Sequence, residues 1–164
     1  MRKKIKIISL DTSTTCSGVA IFNGTKYHSS TALVNDKKLK GDEKLDSMIK
    51  LIISFLDKEK PDVCVTEKLA MTRNAQTVSM LNELLGAVRG YCVTNGIDYC
   101  SLRPSEWRKV AIEITGQKPN GRKREDQKAW ALDMVNNKLN ILTDSDDEAE
   151  SVLLGYSYIN MFNE

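Results

Sequence analysis

Histidine is almost missing from this chain: its 164 residues include a single one, His28, in a polar stretch after Tyr27. Chemistry that depends on histidine clusters is thereby excluded. Cysteine is also sparse, and Cys16, Cys64, Cys92 and Cys100 show no C-x-x-C spacing. Three of them lie in or beside apolar segments, so they read as reduced core thiols of a cytosolic protein, and zinc is not expected. No stretch approaches the roughly eighteen apolar residues of a membrane span. The basic start Met1-Arg2-Lys3-Lys4 runs into a strand-like segment without a small-residue cleavage site, so secretion is not expected either. Repeats and low-complexity tracts are lacking.

What is present suits an ordinary globular protein, with 41% apolar and 28% charged residues. The length suits one domain, 1–164, and leaves no room for a second. Net charge is only +2, but it is unevenly spread. Residues 101–130 carry eight basic side chains against four acids, whereas 144–164 carry six acids and no base. A basic segment beside an acidic cluster suits a polyanion held over a metal site, although a solvated face is the commoner meaning of a charge run.

Apolar runs and turn signals alternate through the first third of the chain. They predict strands at 5–11, 16–23 and 26–34, the last two joined by Asn23-Gly24, a strong hairpin signal. Leu45, Met48, Ile49, Ile52 and Leu56 then recur at helical spacing, and Lys60-Pro61 ends that helix before a strand at 62–67. A helix over 75–95 follows, then a strand at 97–102, a short helix start at 104–107, a polar loop at 116–121, and helices over 123–139 and 146–161. The expected fold is α/β: a mixed five-stranded sheet, three antiparallel strands then parallel ones, flanked by helices. If the first and fourth strands are parallel neighbours, their final residues meet.

Those final residues are acids. Asp11 closes the first strand, Glu67 closes the fourth, and Asp147 and Glu150 sit one turn apart at the start of the last helix. Carboxylates converging on one spot repel unless a proton or a divalent cation neutralises them. All-oxygen ligands with little histidine point to magnesium or manganese. Phosphodiester hydrolysis uses such a site, two ions about 3.5–4 Å apart activating water and neutralising the leaving oxygen. Plainer readings exist: Asp144 and Asp146 suit helix capping, Glu67 could pair with Lys68, and Asp11 could close an Asx turn.

In order and context, Leu10-Asp11-Thr12-Ser13-Thr14-Thr15-Cys16-Ser17-Gly18-Val19-Ala20, then Val65-Thr66-Glu67, then Asp147-Glu148-Ala149-Glu150-Ser151 resemble the acidic motifs of the RuvC group of Holliday junction resolvases, ribonuclease H-like nucleases. The resemblance runs over nearly the whole chain. It extends to the polar segment Arg73-Asn74-Ala75, the stretch Leu84-Leu85-Gly86-Ala87-Val88-Arg89-Gly90 and a basic position at Lys128. It implies a homodimeric endonuclease that nicks four-way DNA junctions, with no organic cofactor, acting in the cytoplasm of a bacterium or a phage-infected host. Asp11, Glu67, Asp147 and Glu150 would be metal ligands for two magnesium ions, with manganese also competent. The helix around Leu81, Leu84 and Val88 would form part of the dimer contact.

Two departures from that pattern, Glu150 in place of aspartate and a hydroxyl-rich first turn where proline and glycine are usual, suggest a divergent, phage-encoded member. DNA contacts are expected from Arg73, Lys118, Arg122, Lys123, Arg124 and Lys128; Trp107 and Trp130 could stack on unpaired bases, but Trp130 better suits the core and Trp107 stays open between the two roles. Two other readings stay open: a phosphate- or nucleotide-binding protein of the sugar-kinase or threonylcarbamoyl-adenosine type, and a catalytically silent branched-DNA-binding module.

Overall fold

The computed structural model describes residues 4–69 and 74–162. Its elements run β1 (Lys6–Asp11), β2 (Cys16–Asn23), β3 (Lys26–Val34), α1 (Gly41–Glu59), β4 (Val63–Glu67), α2 (Ala75–Thr94), β5 (Asp98–Leu102), α3 (Pro104–Thr115), α4 (Arg124–Asp133) and α5 (Asp146–Phe162). The strands form one sheet in the order β3-β2-β1-β4-β5. β1, β2 and β3 are antiparallel, while β4 pairs in parallel with both β1 and β5. This is the expected mixed sheet.

Strand alternation sorts the sheet into two faces. Ile8, Leu10, Val19, Ile21 and Cys64 point to one face and pack with Leu45, Met48, Ile52 and Leu56 of α1 and Leu84, Val88 and Cys92 of α2. Ile7, Ala20, Phe22, Val63 and Val65 point to the other, under Trp107 and Ala111 of α3, Trp130 and Ala131 of α4, and Val152 and Leu153 of α5. The same alternation assigns Asp11 and Glu67, four positions beyond Ile7 and Val63, to the face under α5.

Helix α5 lies close on the sheet because small residues permit it. Gly18 touches the Asp147 backbone carbonyl, and a Cβ there would overlap it. At Gly155 a Cβ would run into the Phe22 ring and the Ser9 hydroxyl. The Ser9 Oγ donates to the Ser151 carbonyl at 2.6 Å, both residues being buried. The helix thus crosses the sheet with its N-terminus over the β1–β2 edge where Asp11 pairs with Gly18.

Two predicted elements differ in extent. The helix start at 104–107 is a full three-turn helix, with Pro104 at its first position and the Glu106 carboxylate accepting the Arg103 N–H at 3.0 Å. The helix expected over 123–139 is α-helical only to Asp133 and then widens into a π-helical turn, Met134–Lys138. Asn136 in that turn donates to the Thr143 carbonyl and accepts from the Thr143 N–H, both at 2.9 Å. That side-chain clamp holds the connection into α5. No helix among the described residues is long and apolar enough to cross a membrane.

Candidate functional site

At the C-terminal edge of β1 and β4, beneath the first turns of α5, a cleft of about 190 Å³ is lined by Asp11, Thr12, Ser13, Glu67, Arg108, Arg124, Asp147 and Glu150, among others. All four acids singled out in the sequence open into it. Carboxylate oxygens of Asp11, Asp147 and Glu150 lie within 4.8 Å of one another. Glu67 lines the same cleft but stands outside that trio, held by α3: the Trp107 indole Nε1 donates to its Oε2 at 2.5 Å, and Arg108 lies 3.9 Å from the same oxygen.

Each position has a local cause. Asp11 and Glu67 end neighbouring parallel strands whose register pairs Leu10 with Thr66, so both face the same side one residue later. Asp147 and Glu150 project from one side of α5, whose start is capped by the Ser145 hydroxyl accepting the Glu148 N–H at 3.2 Å. The other acids of that turn are engaged elsewhere. Glu148 accepts a hydrogen bond from Ser30 on β3, and Asp146 pairs with Lys128 at 3.0 Å.

The electrostatics show a site short of positive charge. Burial, and then the neighbouring Glu150 carboxylate and the charges of Glu67 and Asp147, push the Asp11 carboxyl well above the usual aspartate range. Burial also raises Glu67, against the opposing pull of the Trp107 hydrogen bond and the Arg108 charge. The Cys16 thiol at the start of β2 is raised to about 11 by burial and then by its contact with Asp147. Burial works to lower Lys128, yet its hydrogen bond to Asp146 and the charges of Asp147 and Asp146 prevail and raise it. The donor set is all oxygen and closely spaced, and its central acid is destabilised as an anion. These residues therefore fit a hard divalent cation.

Arg108 is the residue that sequence reasoning missed. It reaches Glu150 at 3.3 Å and Glu67 at 3.9 Å, its guanidinium lies 4.9 Å from the Trp107 ring centroid, and its buried Nε has no partner among the described residues. In the sequence it is one cation among several, and only the packing of α3 shows what it faces.

Trp107, which the sequence leaves open between base stacking and packing, is 1% exposed and bonded to Glu67, so it is unavailable for stacking on a base. Trp130 is core, its indole donating to the Gln117 carbonyl at 2.9 Å. Trp107→Phe keeps the buried ring but deletes the donor, so the Glu67 pKa should rise further. The acid limb of any activity that needs ionised Glu67 should then move to higher pH, which a pH–rate profile measures; an unmoved limb would refute the assignment.

Of the expected DNA-contacting residues, Lys118, Arg122, Lys123 and Arg124 are exposed on the loop before α4 and at its start, and Arg124 lines the cleft. Lys128 is half-buried in its ion pairs with Asp146 and Asp147, and Arg73 lies outside the described residues. Leu84 and Val88 are fully buried within the chain, so of the helix positions expected at a dimer contact only Leu81 keeps any exposure. The four cysteines are unpaired thiols, with Cys64 and Cys92 in the core.

No family model matches the chain. It is similar to curated crossover junction endodeoxyribonucleases named RuvC. The protein of Carboxydothermus hydrogenoformans is 25% identical over 115 residues, covering 68% of this chain and 71% of that one. The protein of Hydrogenovibrio crunogenus is 22% identical over 153 residues, covering 92% and 84%. Among solved structures, T. thermophilus RuvC in complex with Holliday junction substrate superposes with a TM-score of 0.71 at 13% identity, covering 96% of both chains. The fold is the RuvC fold.

Proposed function

We propose that this chain is a metal-dependent, structure-selective endonuclease that nicks four-way and other branched DNA junctions, the activity named for the RuvC proteins it resembles. The observation that carries this reading is the meeting of Asp11, Asp147 and Glu150 within 4.8 Å at a strand edge, in a cleft that Arg108 and the exposed Arg124 also line. A nucleotide-binding protein of the kinase type has no use for two acids on α5 facing the strand-end aspartate. A silent binding module would have no reason to keep an aspartate whose charge its own surroundings oppose.

Asp11, Asp147 and Glu150, with Glu67 beside them, would hold two magnesium ions, and manganese would substitute. Bound there, the ions would supply a water activated near neutral pH and charge neutralisation on the leaving oxygen. The chain's own residues do the rest. Trp107 and Arg108 fix the Glu67 carboxylate, and Arg108 places a permanent positive charge in the cleft that receives the phosphate. Lys128 holds Asp146 and Asp147 at the helix start. Lys118, Arg122, Lys123 and Arg124, with Arg73, contact backbone phosphates and give binding that weakens steeply with salt. The whole chain acts as one nuclease unit in the cytoplasm, as a homodimer that presents two such sites for symmetric nicking.

The deciding experiment incubates a labelled four-way junction with the protein in magnesium, manganese or EDTA. Paired nicks with either metal and none in EDTA are expected. Tight junction binding without nicks would favour the silent module, and ATP hydrolysis with indifference to DNA would favour the kinase-type reading.

A second measurement reports on the cation without any substrate. Because the folded Asp11 pKa is raised, its favourable contribution is complete below the ordinary value of 3.8 and is lost as pH climbs through the folded value. Glu67 adds a contribution of the same sign. In EDTA the melting temperature should therefore carry a component that falls with rising pH across that window. Magnesium should remove this component by stabilising the ionised carboxylates. Parallel pH profiles with and without magnesium would show that the acids do not bind the ion.

A further inference from the structure

On the other side of Arg108 from the acidic cleft, α3 and the loop 116–123 enclose a second and larger groove of about 1030 Å³. Half-buried Pro104, Ile112 and Pro119 give it an apolar lining, and the exposed cations Lys109, Lys118 and Arg122 stand around it, with Glu113 the acid among its lining residues. Arg108 lines both spaces. Its guanidinium meets the acids while its Nε is buried without a partner among the described residues. The groove therefore begins one side chain away from the proposed point of cleavage.

An apolar slot among cations, next to a phosphodiester site, has the chemistry of a nucleotide: a flat base that gains by leaving water, and phosphates that need positive charge. Among the described residues the groove has no aromatic lining, so a base placed there would leave its stack without gaining a new one. The cost of unstacking is a few kcal/mol in duplex and least for a base that is already unpaired. The four-way centre of a branched substrate, where pairing is interrupted, is where such a base is available.

We propose that the groove between α3 and the loop 116–123 is a nucleotide subsite that receives one unpaired base of the cut strand, next to the scissile phosphate, and so contributes to selection of branched DNA. This rests on the nuclease reading and specifies how the substrate is recognised. Arg108 couples the two spaces, since it pairs with Glu150 and lines both of them.

The test places 2-aminopurine, one position at a time, at the nucleotides flanking the cut in a four-way junction, and binds the full-length protein in calcium to hold back cleavage. One flanking position should brighten several-fold, because a base in this groove is neither paired nor stacked on an aromatic ring. Ser105→Trp at the exposed start of α3 fills the groove and should abolish that signal. Asn120→Trp, on the opposite exposed loop, should do the same by an independent route. A circular dichroism spectrum and melting curve establish that each variant is folded, and fluorescence anisotropy that each still binds the junction.

Brightening that is equal in the wild type and in both folded variants, or no position-specific brightening, would overturn the subsite while leaving the nuclease reading intact. Failure of the wild type to bind any branched DNA would overturn both. Should the variants change self-association in sedimentation and leave the DNA signal unaltered, the groove would belong to a second copy of the chain, and the subsite would be refuted.

Discussion

Asp11→Asn is expected to cut junction nicking by about a thousandfold or more while leaving junction binding intact and raising the thermal stability of the metal-free chain. The two effects have one cause. Asp11 sits at the strand end against Glu150, Glu67 and Asp147, and burial and those charges all oppose its ionisation. Asparagine is nearly the same size and removes the charge, so the crowding is relieved. A gain of about 1 kcal/mol, or roughly 2–4 °C in melting temperature for a chain of this size, is the expected order. The same change removes the carboxylate proposed as a metal ligand at the centre of the cluster, and activity should be lost with it. An aspartate kept for structure would do the reverse, destabilising when replaced and leaving activity unaltered. Nicking assays, anisotropy on an uncut junction and melting curves in EDTA decide between these outcomes.

Gly18→Ala should be the most damaging change outside the acids themselves. The residue sits on β2 opposite Asp11, and its missing side chain is what allows the Asp147 carbonyl to lie against the strand. A methyl group there meets backbone rather than a flexible side-chain tip, so the helix start must lift. Overpacking of this kind costs about 1–3 kcal/mol. The functional loss should exceed what instability explains, because lifting α5 carries Asp147 and Glu150 away from Asp11. A misplacement of about 1 Å at a catalytic centre is worth roughly a hundredfold in rate. Gly86→Ala is the matched control: a Cβ at Gly86, within α2, meets nothing within 4 Å, and replacing a helix-interior glycine should be neutral or stabilising by about 0.5–1 kcal/mol. If Gly18→Ala leaves the nicking rate at wild-type level under conditions where it is folded, the close approach of α5 does not set the site.

Much of the frame was legible because it is a matter of local backbone geometry. Apolar runs at 5–11 and 62–67 give strands that each end in an acid, Asn23-Gly24 announces the hairpin, and the spacing of Leu45, Met48, Ile52 and Leu56 gives the buried side of α1. Other features were hidden. Trp107 and Arg108 lie between Glu106 and Lys109 in a run that looks like a solvated helix start. The indole reaches Glu67 because α3 packs on α5, where the Ser157 hydroxyl donates to the Trp107 carbonyl at 3.0 Å. The π-helical turn at 134–138 was likewise hidden, since the side chain that supports it, Asn136, finds its partner seven residues away at Thr143.

By itself the sequence determined the order of strands and helices and which acids end up at strand tips and on one helical turn, because periodicities of two and 3.6 are properties of neighbouring residues. Only the tertiary structure decided that Asp11, Asp147 and Glu150 form the close trio while Glu67 is held apart by Trp107 and Arg108. It also decided that Asp146 and Glu148 are turned to other partners. Those outcomes depend on how closely α5 can approach β2 over Gly18 and Gly155, and on α3 reaching across to β4. Such contacts join residues far apart in the chain, and no local pattern encodes them.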